Sequence, residues 1–296
     1  MIRYCTEASA EVSEPLAGWG VHNPSTVLIQ WPKALWQHSP RLAKGMDDAL
    51  RTAIDRLASR GVRVNLIDRK SADKSRCRVY IFPAARMFDA PPETLPALID
   101  AIEDGRTIPD ASSELAAPLV LCCTHGKHDL CCAKFGFNTY RALVQKADEA
   151  YPGQFDIWEA THLGGCRFAT TVLVLPQLHK YGRVNPGNAA EVLRAEAAGR
   201  IYLPLYRGRS DWHAAAQTAE ICVRSASPHM PIDSKLSAVL LKDEARYKVY
   251  QIDFAEHRFE VHCQAREIQS FSSCDDISSG KPAKSRVAWS ASILSG

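Results

Sequence analysis

Leu119-Val-Leu-Cys-Cys-Thr-His-Gly-Lys-His-Asp-Leu-Cys-Cys132 opens as a short apolar run, crosses a polar loop, and leads into the periodic stretch Phe135 to Ala150, which Pro152-Gly153 stops. A buried strand, a cysteine-bearing loop and a helix are the expected elements. Downstream, Gln154 to Trp158 and Thr170 to Leu175 read as strands and Asn188 to Ala198 as a helix. The order is β-α-β-β-α. Upstream the same order is expected. Ser25-Thr-Val-Leu-Ile-Gln-Trp31 is a strand, and Leu42, Met46, Leu50, Ile54 and Leu57 repeat at helical spacing from Pro40 to about Arg60, where Gly61 ends them. Val62 to Ile67 and Val79 to Phe82 are strands, and Pro92 to Ile102 is helical.

Strand starts near 25, 62 and 79 are matched by starts near 119, 154 and 170. This is the core order of a thioredoxin-like unit. The fold class expected is therefore α/β, with tandem thioredoxin-like units of which only the second carries cysteines at its first loop. Asp211 to Val223 is a further helix with Ser210 as its N-cap. Leu236 to Leu241, Arg246 to Phe254, Arg258 to Cys263 and Arg286 to Leu294 are strands of a C-terminal β-rich extension, with Phe259, Val261 and Cys263 on one face. Residues 268–284 read as a loose linker. The expected units are residues 1–115, 116–228 and 229–296.

The 296 residues are 46% hydrophobic and 23% charged, with a net charge of +3. That supports a real apolar core and excludes nucleic acid or an anionic membrane as the main partner. No window approaches the roughly 20 apolar residues of a membrane span, and the N-terminus lacks a signal-peptide core. A cytoplasmic protein is expected. Five of the ten cysteines, Cys122, Cys123, Cys131, Cys132 and Cys166, are clustered. In a reducing compartment such clustering points to metal binding or redox chemistry. Cys5, Cys77, Cys222, Cys263 and Cys274 are scattered and read as small buried hydrophobes.

The second motif is Thr161-His-Leu-Gly-Gly-Cys-Arg-Phe168. If both loops sit at one end of a sheet, Cys123, Cys132, His162 and Cys166 converge. Three thiolates and an imidazole suit structural zinc or an iron–sulfur cluster. The nine-residue separation of Cys123 and Cys132 favours the larger cluster. Gly164 and Gly165 let the backbone approach something bulky. Asp129, Asp156 and Glu159 form no recognisable glycosidase pair, and no catalytic residue is assigned.

Cys123-Thr-His-Gly-Lys-His-Asp-Leu-Cys-Cys132 and His162-Leu-Gly-Gly-Cys-Arg-Phe-Ala169 resemble the sucrase/ferredoxin-like family, a branch of the thioredoxin-like [2Fe–2S] ferredoxins. Tyr181-Gly-Arg183, Tyr206-Arg-Gly-Arg-Ser-Asp-Trp212 and the approach from Glu14 to Trp36 extend the resemblance over about residues 5–225. It implies that residues 116–228 are a thioredoxin-like ferredoxin domain. It implies a [2Fe–2S] cluster held by Cys123 and Cys132 from the first loop and by His162 and Cys166 from the second. The family has a second His where this chain has Cys166. Cys132 fits the family spacing better than Cys131. Thr124, His125, Gly126, Lys127, Gly164, Gly165 and Arg167 are expected around the cluster, and Lys127, His128 and Arg167 on a positive rim for an acidic redox partner, a reductase or an electron acceptor. One-electron transfer or redox sensing is the expected function. A thiol–disulfide oxidoreductase and a structural zinc protein are the alternatives, and a homodimer is left open. An exposed His162 ligand would protonate on reduction and make the potential pH-dependent.

Overall fold

The computed structural model describes residues 3–105, 112–231, 234 and 236–294. After α1 (Cys5–Glu11), the chain forms β1 (Thr26–Gln30), α2 (Asp48–Ser59), β2 (Arg63–Asp68), β3 (Cys77–Phe82), β4 (Arg86–Ala90) and α3 (Leu95–Glu103). Next come β5 (Ser113–Glu114), β6 (Leu119–Cys123), α4 (Phe137–Ala150), β7 (Asp156–Ala160), β8 (Val172–Leu175), β9 (His179–Tyr181), α5 (Ala189–Ala197) and β10 (Tyr206–Arg209). The chain ends with α6 (Ala214–Ala226), β11 (Leu236–Glu244), β12 (Tyr247–Phe254), β13 (His257–Ser270), α7 (Cys274–Ser278) and β14 (Lys284–Ile293).

Strands β1 to β10 make one mixed sheet of order β10-β9-β8-β6-β7-β2-β1-β3-β4-β5. Its halves repeat one plan. In the first, β1 runs parallel to β2 and antiparallel to β3; in the second, β6 runs parallel to β7 and antiparallel to β8. They join through a two-residue antiparallel contact, Ile67 opposite Ala160 and Asp68 opposite Glu159.

Because side chains alternate along a strand, each buried strand feeds two layers. Val27 and Ile29 pack with Leu50, Ile54 and Leu57 of α2. Val120, Cys122, Val172 and Val174 pack with Leu143 of α4 and Val192 of α5. Leu28, Leu121, Cys123, Trp158 and Leu173 point the other way into a core shared by both halves, which Cys5 and Cys274 also enter. The antiparallel sheet β11-β12-β13-β14 packs Ile252, Val261 and Cys263 against Ala219 and Val223 of α6.

Several expectations shift. The helix expected from Pro40 begins at Asp48, because the Asp47 carboxylate caps it by accepting the Leu50 N–H at 2.7 Å. The preceding residues form a loop held by the Trp31 and Trp36 indoles on the carbonyls of Lys44 and Trp31. Helix α6 is capped at His213, not Ser210; the Ser210 carbonyl instead accepts the His22 N–H at 2.9 Å. The stretch 268–284 is not a linker. It finishes β13 and forms α7, whose N-cap Ser273 accepts the Asp276 N–H. Among the described residues no helix is long and apolar enough to cross a membrane.

Candidate metal centre

Strand β6 ends on two cysteines that its pleat sends to opposite faces. Cys122 enters the helix-side core, with its Sγ 3.7 Å from the Gly136 carbonyl. Cys123 points to the other face, its Sγ 3.4 Å from Cys132 Sγ. Cys132 starts a π-helical turn, Cys132–Gly136, that leads into α4; such wide turns recur at functional sites. Neighbouring residues on a helical turn point about 100° apart, so Cys131 faces away, to Cys5 at 3.4 Å and Cys274 at 3.2 Å.

The second loop leaves β7 and brings Cys166 Sγ to 3.2 Å from His162 Nδ1. Cys132 also faces Cys166, so the two loops meet. Gly165, at φ +78°, supplies a left-handed turn that a side chain resists. What comes close to it is the Arg207 guanidinium, whose Nη2 lies 2.6 Å from where a Cβ would stand. All ten cysteines are free thiols.

The surroundings tune these donors. The hydrogen-bonded contact with the Cys132 sulfur, joined by the backbone N–H groups of His125 and Leu163, brings the Cys123 thiol down to about 7 against the opposing effect of burial. Burial, reinforced by the charges of His128, Arg63 and Lys180, pushes the His162 imidazole down to about 2, so it stays neutral and keeps a lone pair to donate. His162 is half-buried among cations, not the exposed imidazole that was expected. His125 accepts the His162 N–H on Nδ1 at 3.3 Å, which leaves Nε2 to donate to the Gln37 carbonyl at 2.6 Å. Thr124 Oγ1 is buried beside Cys123 with no hydrogen-bond partner among the described residues.

Two expected rim residues behave otherwise. Arg167 is buried, ion-paired with Glu14 at 2.7 Å and stacked over the Trp19 ring, because Glu14 is itself sealed in the core. Lys127 bonds the Ala34 and Trp36 carbonyls of the first half at 3.0 and 2.6 Å, although it remains exposed. The 33–47 loop therefore lies over the cysteine loop. Gly126 is packed so closely on Ala133 that a Cβ there would stand 2.9 Å from its methyl. His128 sits on His162, ring centroids 4.0 Å apart, and against His38 at 4.9 Å. One donor atom each from His128, His162 and Cys166 lies within 4.8 Å of the others. His128 was not read as a donor from the sequence; its position three residues from His125 was the available signal.

Residues 21–208 match the family model described as sucrase/ferredoxin-like. The chain belongs to the sucrase/ferredoxin-like family. The matched stretch runs from just before β1 into β10 and leaves the C-terminal sheet outside. No curated protein matches this sucrase/ferredoxin-like chain. Among solved structures, a thioredoxin-like [2Fe–2S] ferredoxin from Aquifex aeolicus aligns with 33% of this chain and 97% of its own, at 16% identity and a TM-score of 0.31. A structure of the wild-type ferredoxin from the same organism aligns with 31% and 97%, at 18% identity and a TM-score of 0.28.

A further feature of the sucrase/ferredoxin-like chain was not legible in sequence. Lys180 is 1% exposed, with Nζ bonded, among the described residues, only to the Val21 carbonyl at 2.8 Å. Arg207 is 3% exposed, bonded to the Gly164 carbonyl and Thr171, and its Nε has no partner among the described residues. Arg63 donates to Asn65 and to the His162 carbonyl. Among the described residues none of the three pairs with a carboxylate. Burial, followed by repulsion from Arg207 and Arg63, drives the Lys180 ammonium well below its usual range; burial, followed by repulsion from Arg167, brings Arg207 down to about 9. Buried cations without counter-ions are costly, so their placement calls for negative charge at the loops they surround.

Proposed function

We propose that this protein carries a [2Fe–2S] cluster on Cys123, Cys132, His162 and Cys166 and works as a one-electron carrier. The observation that carries the reading is the group of cations, half-buried Arg63 with buried Lys180 and Arg207, beside three thiols and one neutral imidazole. The donor set fits the group: thiolates supply most of the ligation and imidazole replaces one of them. The orphaned Thr124 hydroxyl is a hydrogen-bond donor of the kind that a cluster sulfur accepts. Bound there, the cluster would supply a one-electron redox couple.

The chain's own residues then have definite tasks. Arg63, Lys180 and Arg207 offset the excess negative charge of three thiolates. The N–H groups of His125 and Leu163 hold Cys123 as thiolate. His125 fixes the backbone of His162. The 33–47 loop and the cysteine loop shield the site, leaving the stack from His162 through His128 to exposed His38 as the way out to a protein partner. The large sheet, on this reading, is a tandem of thioredoxin-like units whose second member is the ferredoxin domain and whose first covers it. The compartment proposed is the cytoplasm.

The visible spectrum of anaerobically purified protein, before and after dithionite, tests the proposal. A brown-red sample that bleaches supports it. A sample that stays colourless after reconstitution with iron and sulfide overturns it.

A further inference from the structure

A second group of donors lies on the far side of the same helix start. Cys131 Sγ is 3.4 Å from Cys5 Sγ and 3.2 Å from Cys274 Sγ, and Cys5 and Cys274 are 3.7 Å apart, so three thiols form a closed triangle. The Asp129 carboxylate stands over it, with its oxygens 3.9 and 4.0 Å from Cys5 Sγ. One donor atom from each of the four residues lies within 4.8 Å of the other three, and all four residues are buried.

The shape and chemistry are those of a tetrahedral site. With Zn–S bonds of about 2.3 Å, the sulfurs of such a site are about 3.8 Å apart, close to the observed triangle. The carboxylate is aimed by two backbone donors, Cys131 N–H on Oδ1 at 2.8 Å and Cys274 N–H on Oδ2 at 3.0 Å. Orientation of this kind is what ligating carboxylates receive. The Cys5 N–H points at Cys274 Sγ at 3.5 Å. Among the described residues no Lys or Arg pairs with Asp129, which is 5% exposed. A buried carboxylate among three thiols lacks its compensating charge, and a divalent cation supplies it. A disulfide between any two of the thiols would strand the third and leave the carboxylate uncompensated.

We propose that Cys5, Cys131, Cys274 and Asp129 bind one zinc ion. The ion ties α1 and α7, from opposite ends of the chain, to the turn that carries Cys132. This site is separate from the proposed cluster and does not depend on it. Because its ligands are 269 residues apart in the extreme case, its binding energy is folding energy for the whole molecule.

The test uses the full-length chain from zinc-supplemented growth, purified anaerobically and assayed for zinc, iron and sulfide. About one zinc per chain is expected. It should fall to near zero in the Cys5→Ser/Cys274→Ser variant, with iron unchanged, and persist in Cys123→Ser/Cys166→Ser. Wild-type protein without zinc overturns the proposal, as does zinc that survives the first variant or leaves only with the second. Should the variants not fold, cadmium NMR of the wild-type chain decides. Couplings to the β-protons of Cys5, Cys131 and Cys274 support the site, and couplings confined to Cys123, Cys132 and Cys166 overturn it.

Discussion

At the scale of single residues, charge is what sets the site apart from an ordinary thiol-rich core. Lys180 donates to the Val21 carbonyl and, among the described residues, pairs with no carboxylate, and that arrangement favours whichever redox state carries more negative charge. Lys180→Met should therefore lower the midpoint potential, by tens of millivolts for a nearby charge in an effective dielectric of about 20. His162→Cys adds a thiolate and should lower it further, on the order of 100 mV. Redox titrations of the two variants read both effects. An unchanged midpoint in His162→Cys would mean that His162 is not a ligand. The donors themselves were legible because their spacing, Cys123 to Cys132 and His162 to Cys166, repeats a known motif. The cations were not, because Lys180 and Arg207 come from short strands whose residues look like surface.

At the scale of elements, the approach of the π-helical turn to the end of β6 positions Cys132. Gly136 has an ordinary helical φ of −65°, so its requirement is one of space: a Cβ there would stand 2.4 Å from the Cys123 carbonyl oxygen and 3.1 Å from Thr124 Cα. Both contacts are backbone, which cannot swing aside. Gly136→Ala should therefore cost about 2–3 kcal/mol of stability, as overpacking does, and reduce cluster occupancy. Gly165→Ala pays for a left-handed φ, about 1–2 kcal/mol, and pushes on the Arg207 side chain, which can shift. Urea melts of the two variants should rank them in that order; the reverse order would mean that the turn moves away from β6 at little cost. Most helices and the short core strands were readable from periodicity, and β6 was placed to the residue, whereas β13 runs on through Ser270 into what reads as a linker. Strand β9, three residues including buried His179 and Lys180, was not, since its burial follows from its neighbours and not from its own hydrophobicity. Helix α7 hid for a related reason. Its Cys274 answers to Cys5 and Cys131, too distant in sequence for any local pattern to register.

At the scale of the whole molecule, the two halves of the large sheet join through one strand pair, β2 and β7, over only two residue pairs, so the seam depends on groups that reach across. His22 is one of them. Its N–H bonds the Ser210 carbonyl at the end of the second half, its Nε2 lies 3.4 Å from Thr26 Oγ1 of β1, and its ring is buried near Arg63 and Lys180. Burial first, then those two cations, drive its imidazole well below the ordinary value. The native state therefore holds His22 neutral at pH values where the unfolded chain, with a pKa of about 6.5, has already taken up a proton. More protons bound on unfolding means that stability rises with pH. The contribution is fully present above about pH 6.5 and is lost as pH falls toward the depressed native value, by at most about 1.4 kcal/mol per pH unit. His22→Gln removes the titrating group and keeps a polar side chain of similar reach. The variant should be less stable at pH 7.5, and its stability should fall less steeply than that of the wild type between pH 6.5 and 5. Urea melts across that range measure both slopes. Parallel slopes would assign the acid sensitivity of the fold to other groups and leave His22 as packing alone.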